Sequence, residues 1–308
     1  MGAGAVGGSV VELAGEYGHS VVAVADSASA ALDPDGLDPE AVTARKRETG
    51  QVGDGDPGDA LEAEYDVLVE ATPTTLGDAE PGYGHAVRAL ERDRHAVLAN
   101  KGPVAERYDD LRAVEADSDG RLLFDAAVGG AIPVTAAIDD LGPEHVTAVQ
   151  GVLNGTANFI LTRMAAEGLD YEHVLAEAQD LGVAEADPSF DVEGTDAALK
   201  CVILANQMYG GGYSLADAEV EGIESVPGPA LELAAQDGRT VRLVGEVSDG
   251  AVRVGPRLVP EHGTLAVSGT RNIVRIEADH AGDLSISGRG AGGPETASAV
   301  LADVGRLK

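Results

Sequence analysis

The first seven residues constrain the fold most. Gly2, Gly4 and Gly7 form a G-x-G-x-x-G turn, with Ala5 and Val6 in its second half, and an apolar-periodic stretch at 9–14 reads as the helix leaving it. Such a turn suits a dinucleotide for steric reasons. The first glycine permits a tight bend, the second lets a pyrophosphate approach the backbone, and the third packs helix against strand. Gly2, Gly4, Ala5, Val6 and Gly7 are therefore the expected phosphate-facing residues. Asp26 adds weight, because it ends the next apolar run nineteen residues after Gly7, where an acid takes the ribose hydroxyls. One part is out of place. A buried strand should lead into the glycines, yet only Met1 precedes Gly2, so the natural start is expected upstream, with the central first strand in that missing part.

The rest of the chain repeats the same alternation. Continuous apolar runs at 20–25, 67–70, 96–99 and 122–126 suit strands buried on both faces. Helical stretches separate them, notably 83–92. Strand and helix in alternation predict an α/β fold with a Rossmann-type, doubly wound parallel sheet. After about residue 135, longer helical patterns (158–167, 171–181, 196–207) alternate with strands at 146–153 and 240–246, which describes an α+β second domain. A second glycine turn, Gly288 to Gly293, leads into a helix from Glu295. Residues 1–133 with 288–308 are expected to form the dinucleotide-binding domain, and 134–287 the substrate domain.

At 308 residues, the chain can bury a core without disulfides or metal. No apolar run reaches the roughly 18 residues of a membrane span, and no basic segment precedes an apolar one as in a secretory signal. Cys201 is the one cysteine, which excludes an internal disulfide and a cysteine-based zinc site. Fifty-three acids against 21 bases give a net charge of −32, a field that repels nucleic-acid phosphates. The acids are dispersed, and only four of the bases are lysine: Lys46, Lys101, Lys200 and Lys308. That pattern is the one found in proteins of salt-in halophiles, and a halophilic archaeon is the expected source. A cytoplasmic enzyme remains.

Where lysine is so scarce, the survivors merit inspection. Lys101 lies in Asn100-Lys101-Gly102-Pro103, just after a buried strand, at the sheet edge where ligands bind. Lys200 lies on a helix with Asp196 one turn earlier on the same face. Taken alone, the pair reads as an ordinary surface ion pair, and Lys101 as a loop cation. Cys201 follows Lys200 in a core-like pattern, whereas a nucleophile needs exposure and a base. The histidines show no metal-ligand spacing.

Taken together, these stretches resemble homoserine dehydrogenase in its short form without a regulatory domain. The matching segments are Glu70-Ala-Thr-Pro-Thr-Thr75, Asn100 to Pro103, Asp125 to Pro133, Gly151 to Leu161, Glu185 to Lys200, and Gly290-Ala-Gly292. The resemblance implies conversion of L-homoserine and L-aspartate 4-semialdehyde with NAD or NADP, in threonine, methionine and isoleucine biosynthesis. It implies Lys200 as the proton-transfer residue with Asp196 beside it, and Lys101 also at the reacting centre. It places Glu185 and Asp191 on the substrate ammonium, with Thr156 nearby. Thr72, Asn100, Lys101 and Gly292 would line the nicotinamide cofactor. A monovalent cation, Na⁺ or K⁺, would sit on backbone carbonyls at Asp125, Val128, Gly130 and Ile132, although Asp125 stands where the family usually carries glutamate. A homodimer joined through the second domain is implied as well.

Proton transfer by a lysine is sensible in both directions, since alcohol oxidation releases a hydroxyl proton and the reverse reaction must protonate an alkoxide. Asp196 favours the charged form of Lys200 and so supports an acid. Other readings are another small-molecule dehydrogenase of this architecture, a thiol-dependent oxidoreductase acting through Cys201, and a catalytically silent nucleotide-binding protein. For the cofactor, Asp26 followed by Ser27 favours NAD, while Arg45, Lys46 and Arg47 are placed to reach a 2′-phosphate.

Overall fold

The structure, a computed structural model, describes residues 1–307. The chain forms two compact units, one from Met1–Ala131 together with the stretch from Ala291 onward, the other Ile132–Gly290.

In the first unit α1 (Ala5–Leu13) follows the glycine turn, then β1 (Ala23–Ala25), β2 (Ala30–Leu32), α2 (Pro39–Thr49) and α3 (Pro57–Glu62). Next come β3 (Val67–Glu70), α4 (Gly82–Leu90), β4 (His95–Leu98), α5 (Lys101–Glu106), α6 (Tyr108–Ala116), β5 (Leu122–Leu123) and α7 (Asp125–Gly129). Strands β3, β4 and β5 form a parallel sheet in that order, with Val69 opposite Val97 and Val97 opposite Leu123. β1 pairs antiparallel with β2. Between these two sheets sit Met1 and Gly2. The Met1 amine donates to the Val69 carbonyl at 2.7 Å, the Ala71 amide donates to the Met1 carbonyl, and the Gly2 amide donates to Ala25. Two residues thus hold the place that the sequence assigns to a whole strand.

Two expected strands are shorter than their apolar runs. In 20–25, only Ala23–Ala25 join the ladder, because the Val21 and Val22 carbonyls accept from Leu37 and Asp33 in the loop that follows β2. In 122–126, pairing stops at Leu123, because the Asp125 amide donates instead to the Asp303 carboxylate at 2.9 Å and the chain turns into α7.

The second unit contains α8 (Val134–Leu141), β6 (Val146–Val152), α9 (Gly155–Glu167), α10 (Tyr171–Asp180), α11 (Ser189–Val192) and α12 (Thr195–Tyr209). It continues with β7 (Ala218–Val220), α13 (Gly228–Gln236), β8 (Arg239–Ser248), β9 (Ala251–Pro260), β10 (Arg271–Ala278) and β11 (Gly282–Arg289). The six strands pair in the order β11-β10-β6-β8-β9-β7, antiparallel except for the parallel β7–β9 edge. Helix α12 lies on β8 and β9 and is buried from Asp196 through Met208. A helix buried all round must satisfy each polar residue internally. Asn206 bonds both backbone groups of Tyr213, and Gln207 donates to the Thr135 carbonyl and to Asp139.

The chain then returns to the first unit as α14 (Gly293–Arg306), which packs beside α1. Ala297, Val300 and Leu301 share a core with Val10, Ala14 and Val97.

Candidate active site

The cofactor side is built by the glycine turn. A side chain on Gly7 would collide with the Gly2 carbonyl, Gly2 has a φ of +87°, and a Cβ on Gly4 would meet nothing within 4 Å. Bend, open approach and close packing therefore fall on Gly2, Gly4 and Gly7 in that order. Ala5 and Val6 open α1, whose first amides lack helical partners and favour an anion. The residues present fit a dinucleotide pyrophosphate.

Asp26 follows β1. Its Oδ1 accepts from the Ala28 and Ser29 amides at 2.8 Å, and its Oδ2 accepts from Lys46 Nζ at 2.7 Å. Partial burial opposes its ionisation, but Lys46 and the two amides prevail and hold its carboxyl below the usual range. A carboxylate and a cation thus stand side by side.

At the carboxyl ends of β3 and β4, Asn100 caps α5 by accepting from Gly102 at 3.0 Å, and its Nδ2 donates to Thr72 Oγ1 at 3.1 Å. Thr72 in turn donates its amide and hydroxyl to Glu70 Oε1, whose other oxygen meets His85 Nδ1 at 2.6 Å. Glu70 is fully buried. Desolvation works against its charge, yet His85, the Met1 ammonium and Thr72 outweigh it and lower its pKa. In the sequence Glu70 stands only as the first residue of a matching segment, and its one local signal is an acid closing an apolar strand. Lys101 begins α5, half-buried, and Gly292 precedes α14 at a φ of +130°.

The second unit assembles a polar cluster around Lys200. Its Nζ donates to the Leu153 carbonyl and to Asp196 Oδ2, each at 2.7 Å. Both side chains are about nine-tenths buried, so this i,i+4 pair is not the surface pair that position alone suggests. Asn154 joins the cluster: its Nδ2 donates to Asp196 Oδ2 at 3.0 Å and to Asp191 Oδ1 at 2.6 Å, while its Oδ1 caps α9 by accepting from Ala157. Asn272 shares the Leu153 carbonyl with Lys200. Asn154 lies within the matching segment from Gly151 to Leu161, which implies no role for it. Its place before Gly155 carried an N-cap signal, but not its reach to two carboxylates. Thr156 donates to the Val183 carbonyl and so ties α9 to the loop carrying Glu185, which is exposed, whereas Asp191 is half-buried.

Of the residues expected to hold a cation, Asp125, Val128 and Gly130 lie in α7 and at its exit, and Ile132 begins the second unit. The Asp125 carboxylate is buried and lies 3.8 Å from the Arg306 guanidinium. The Cys201 thiol is buried and pushed up to about 12, chiefly by desolvation, so it is no nucleophile near neutrality. Among the described residues, no group of three His, Cys, Asp or Glu could hold a metal ion.

A glycine turn on a parallel sheet, an acid–lysine pair after β1 and a buried lysine–carboxylate cluster define an oxidoreductase that uses a dinucleotide. The homoserine dehydrogenase family model matches residues 133–304, and that for glutamate, leucine, phenylalanine and valine dehydrogenases matches residues 1–74. Homoserine dehydrogenase of Methanocaldococcus jannaschii is 42% identical over 294 residues, covering 92% of this chain and 87% of the relative. The crystal structure assigned as homoserine dehydrogenase from Archaeoglobus fulgidus superposes with a TM-score of 0.92 at 41% identity, covering 99% of this chain and 97% of that one. A hyperthermophilic archaeal homoserine dehydrogenase in complex with NADPH gives 0.86 at 28% identity, covering 99% and 95%. Another relative is named as NAD⁺-dependent. The chain belongs to the homoserine dehydrogenase family, whose members are NAD(P)-dependent oxidoreductases.

Proposed function

We propose that the chain interconverts L-homoserine and L-aspartate 4-semialdehyde, with Lys200 moving the proton. The observation that carries this assignment is the buried Lys200 ammonium, fixed by Asp196 and the Leu153 carbonyl at 2.7 Å each. Two of its three donors are engaged in that way, and the third is the one for a substrate oxygen. When bound, the nicotinamide accepts or supplies the hydride. Lys200 gives its proton to the oxygen as the aldehyde is reduced and recovers it in the oxidative direction. Asp196 aims the lysine by accepting from its Nζ. Glu185 and Asp191 take the substrate ammonium. Lys101, at the start of α5, is the second lysine of the reaction, and Thr72, Asn100 and Gly292 line the nicotinamide. The test is reduction of NAD⁺ or NADP⁺ by L-homoserine in about 1 M KCl; no turnover with either cofactor would reject the reading.

Asp26 and Lys46 support use of both cofactors. The carboxylate suits a ribose diol, and the lysine can leave it for a 2′-phosphate. A monovalent cation belongs to the same reading, held by backbone carbonyls, since the Asp125 carboxylate already faces Arg306. So do a homodimer joined through the second domain and a cytoplasmic location. No helix among the described residues is long and apolar enough to cross a membrane.

Glu185→Gln is expected to raise the KM for homoserine about 10- to 100-fold, the worth of one charge-assisted bond, with the cofactor KM little changed. A rise in the cofactor KM instead would move Glu185 to the other substrate.

The charge of −32 and the scarcity of lysine support a halophilic protein. Mutual repulsion acts over about 30 Å at 0.01 M salt and only about 3 Å at 1 M, so the melting temperature should climb steeply with KCl. A melting temperature that is flat between about 0.1 and 1 M contradicts this.

A further inference from the structure

Asn154 is buried, and its side-chain amide makes three hydrogen bonds. Its Oδ1 accepts from the Ala157 amide at 2.8 Å and caps α9. Its Nδ2 donates at 2.6 Å to Asp191, on α11, and at 3.0 Å to Asp196, in the first turn of α12. The partners fix which way the amide faces. Ionised carboxylates only accept, so the nitrogen faces the two acids and the oxygen faces the Ala157 N–H.

Capping alone does not call for this residue. A cap needs an acceptor, and Ser or Asp serves a helix start as well as Asn. The two N–H groups are surplus to that role, and they bridge two like charges that repel one another across a small space. An amide suits the bridge for a definite reason. It gives a proton to each acid and brings no charge, so neither carboxylate is neutralised. A lysine or arginine at this position would act as counter-ion to both, and a serine has one donor on a shorter arm. Each acid therefore keeps its charge for another cation. Asp196 meets Lys200 Nζ. For Asp191, Asn154 is the side-chain partner among the described residues, and no cation pairs with it there. The two acids lie on separate helices that meet at Gly194, where φ is +90°, so no continuous helix sets their spacing. Asn154 sets it.

We propose that Asn154 is a positioning residue for the reaction. One amide nitrogen holds Asp191, which takes the substrate ammonium, at a set distance from Asp196, which aims Lys200. The two ends of a short amino alcohol, its ammonium and its reacting oxygen, are thereby placed by a single side chain. The inference rests on the roles proposed for Lys200 and Asp191, and it adds the part that couples them.

The test is steady-state kinetics with L-homoserine in high salt. The chains are the parent, Asn154→Ser, Asn154→Asp, Asp191→Asn and the Asn154→Ser/Asp191→Asn double variant. Ser and Asp both keep the α9 cap, which amide hydrogen exchange along α9 verifies, and either variant that keeps this protection suffices for the comparison. Asn154→Ser should raise the homoserine KM about 10-fold and lower turnover about 10-fold, each the effect of one bond to a charged group, with the cofactor KM unchanged. Asn154→Asp keeps the shape but sets a third carboxylate against the other two, and should do worse on both counts. With Asp191→Asn in place, the Ser change should leave KM where it is and still lower turnover, since residues in one network are not additive. Parent kinetics in both the Ser and the Asp variant reduce Asn154 to a cap and overturn the proposal. KM penalties that multiply in the double variant overturn it too, as does loss of α9 protection in both single variants. A parent chain without turnover rejects the proposed reaction instead. Homoserine affinity by calorimetry then decides for Asn154 alone: about 10-fold weaker binding in Asn154→Ser supports the bridge, and equal binding overturns it.

Discussion

Lys200→Ala is expected to lower turnover roughly 100- to 10,000-fold, the range for loss of a positioned acid or base, while the cofactor Kd stays near the parent value. The split follows from position. Lys200 lies in the middle of α12, in the second unit, and the glycine turn, Asp26 and Thr72 all belong to the first. Steady-state rates with homoserine, paired with cofactor titration by fluorescence, separate the two effects. A variant that keeps a third of the parent turnover removes Lys200 from the chemistry, and Lys101 then becomes the residue to replace. Lys200→Arg sharpens the result. A guanidinium keeps the charge but neither the point geometry nor ready proton exchange, so the chain should stay folded and remain slow.

Asp196→Asn should destabilise the second unit by about 3–5 kcal/mol, the cost of removing one partner from a buried ion pair. The change preserves shape, so packing is not at issue. What is lost is the carboxylate that accepts from Lys200 Nζ among the described residues, where the Leu153 carbonyl accepts as well. Asn154 loses one of its two carboxylate acceptors in the same step and keeps Asp191. Denaturant unfolding in high salt, with hydrogen exchange along α12, measures the cost. A loss under about 1 kcal/mol, the worth of an exposed pair, means that water reaches the pair and that its burial does not govern its energy.

The sequence disclosed what is local. The glycine turn, the apolar strands at 67–70 and 96–99, and the spacing of Lys200 from Asp196 each depend on a few consecutive residues or on one helical turn. What it concealed is set by contacts between distant segments. The apolar run after Lys200 marks a core helix, but nothing near it names the acceptor of its ammonium, because Leu153 is 47 residues away. Asn154 reaches its carboxylates across 37 and 42 residues. The run at 122–126 reads as one strand, and only the Asp303 carboxylate, 178 residues distant, ends the ladder at Leu123. Pairing order in the six-stranded sheet is likewise a matter of tertiary packing, and alternation along single strands does not encode it.

Helix α14 has a consequence for the order in which the chain matures on the ribosome. Val300 and Leu301 complete the core around Val10 and Ala14, yet they are translated almost three hundred residues after the turn they support. Units generally fold in the order of synthesis, N-terminal first. Here the later unit, Ile132–Gly290, is contiguous and finishes emerging while the earlier one still lacks a helix. The nascent first unit therefore waits with its α1 face uncovered, and the second is the one that can mature first. A stall or truncation before Gly293 leaves the second unit formed and the first open to chaperones and proteases.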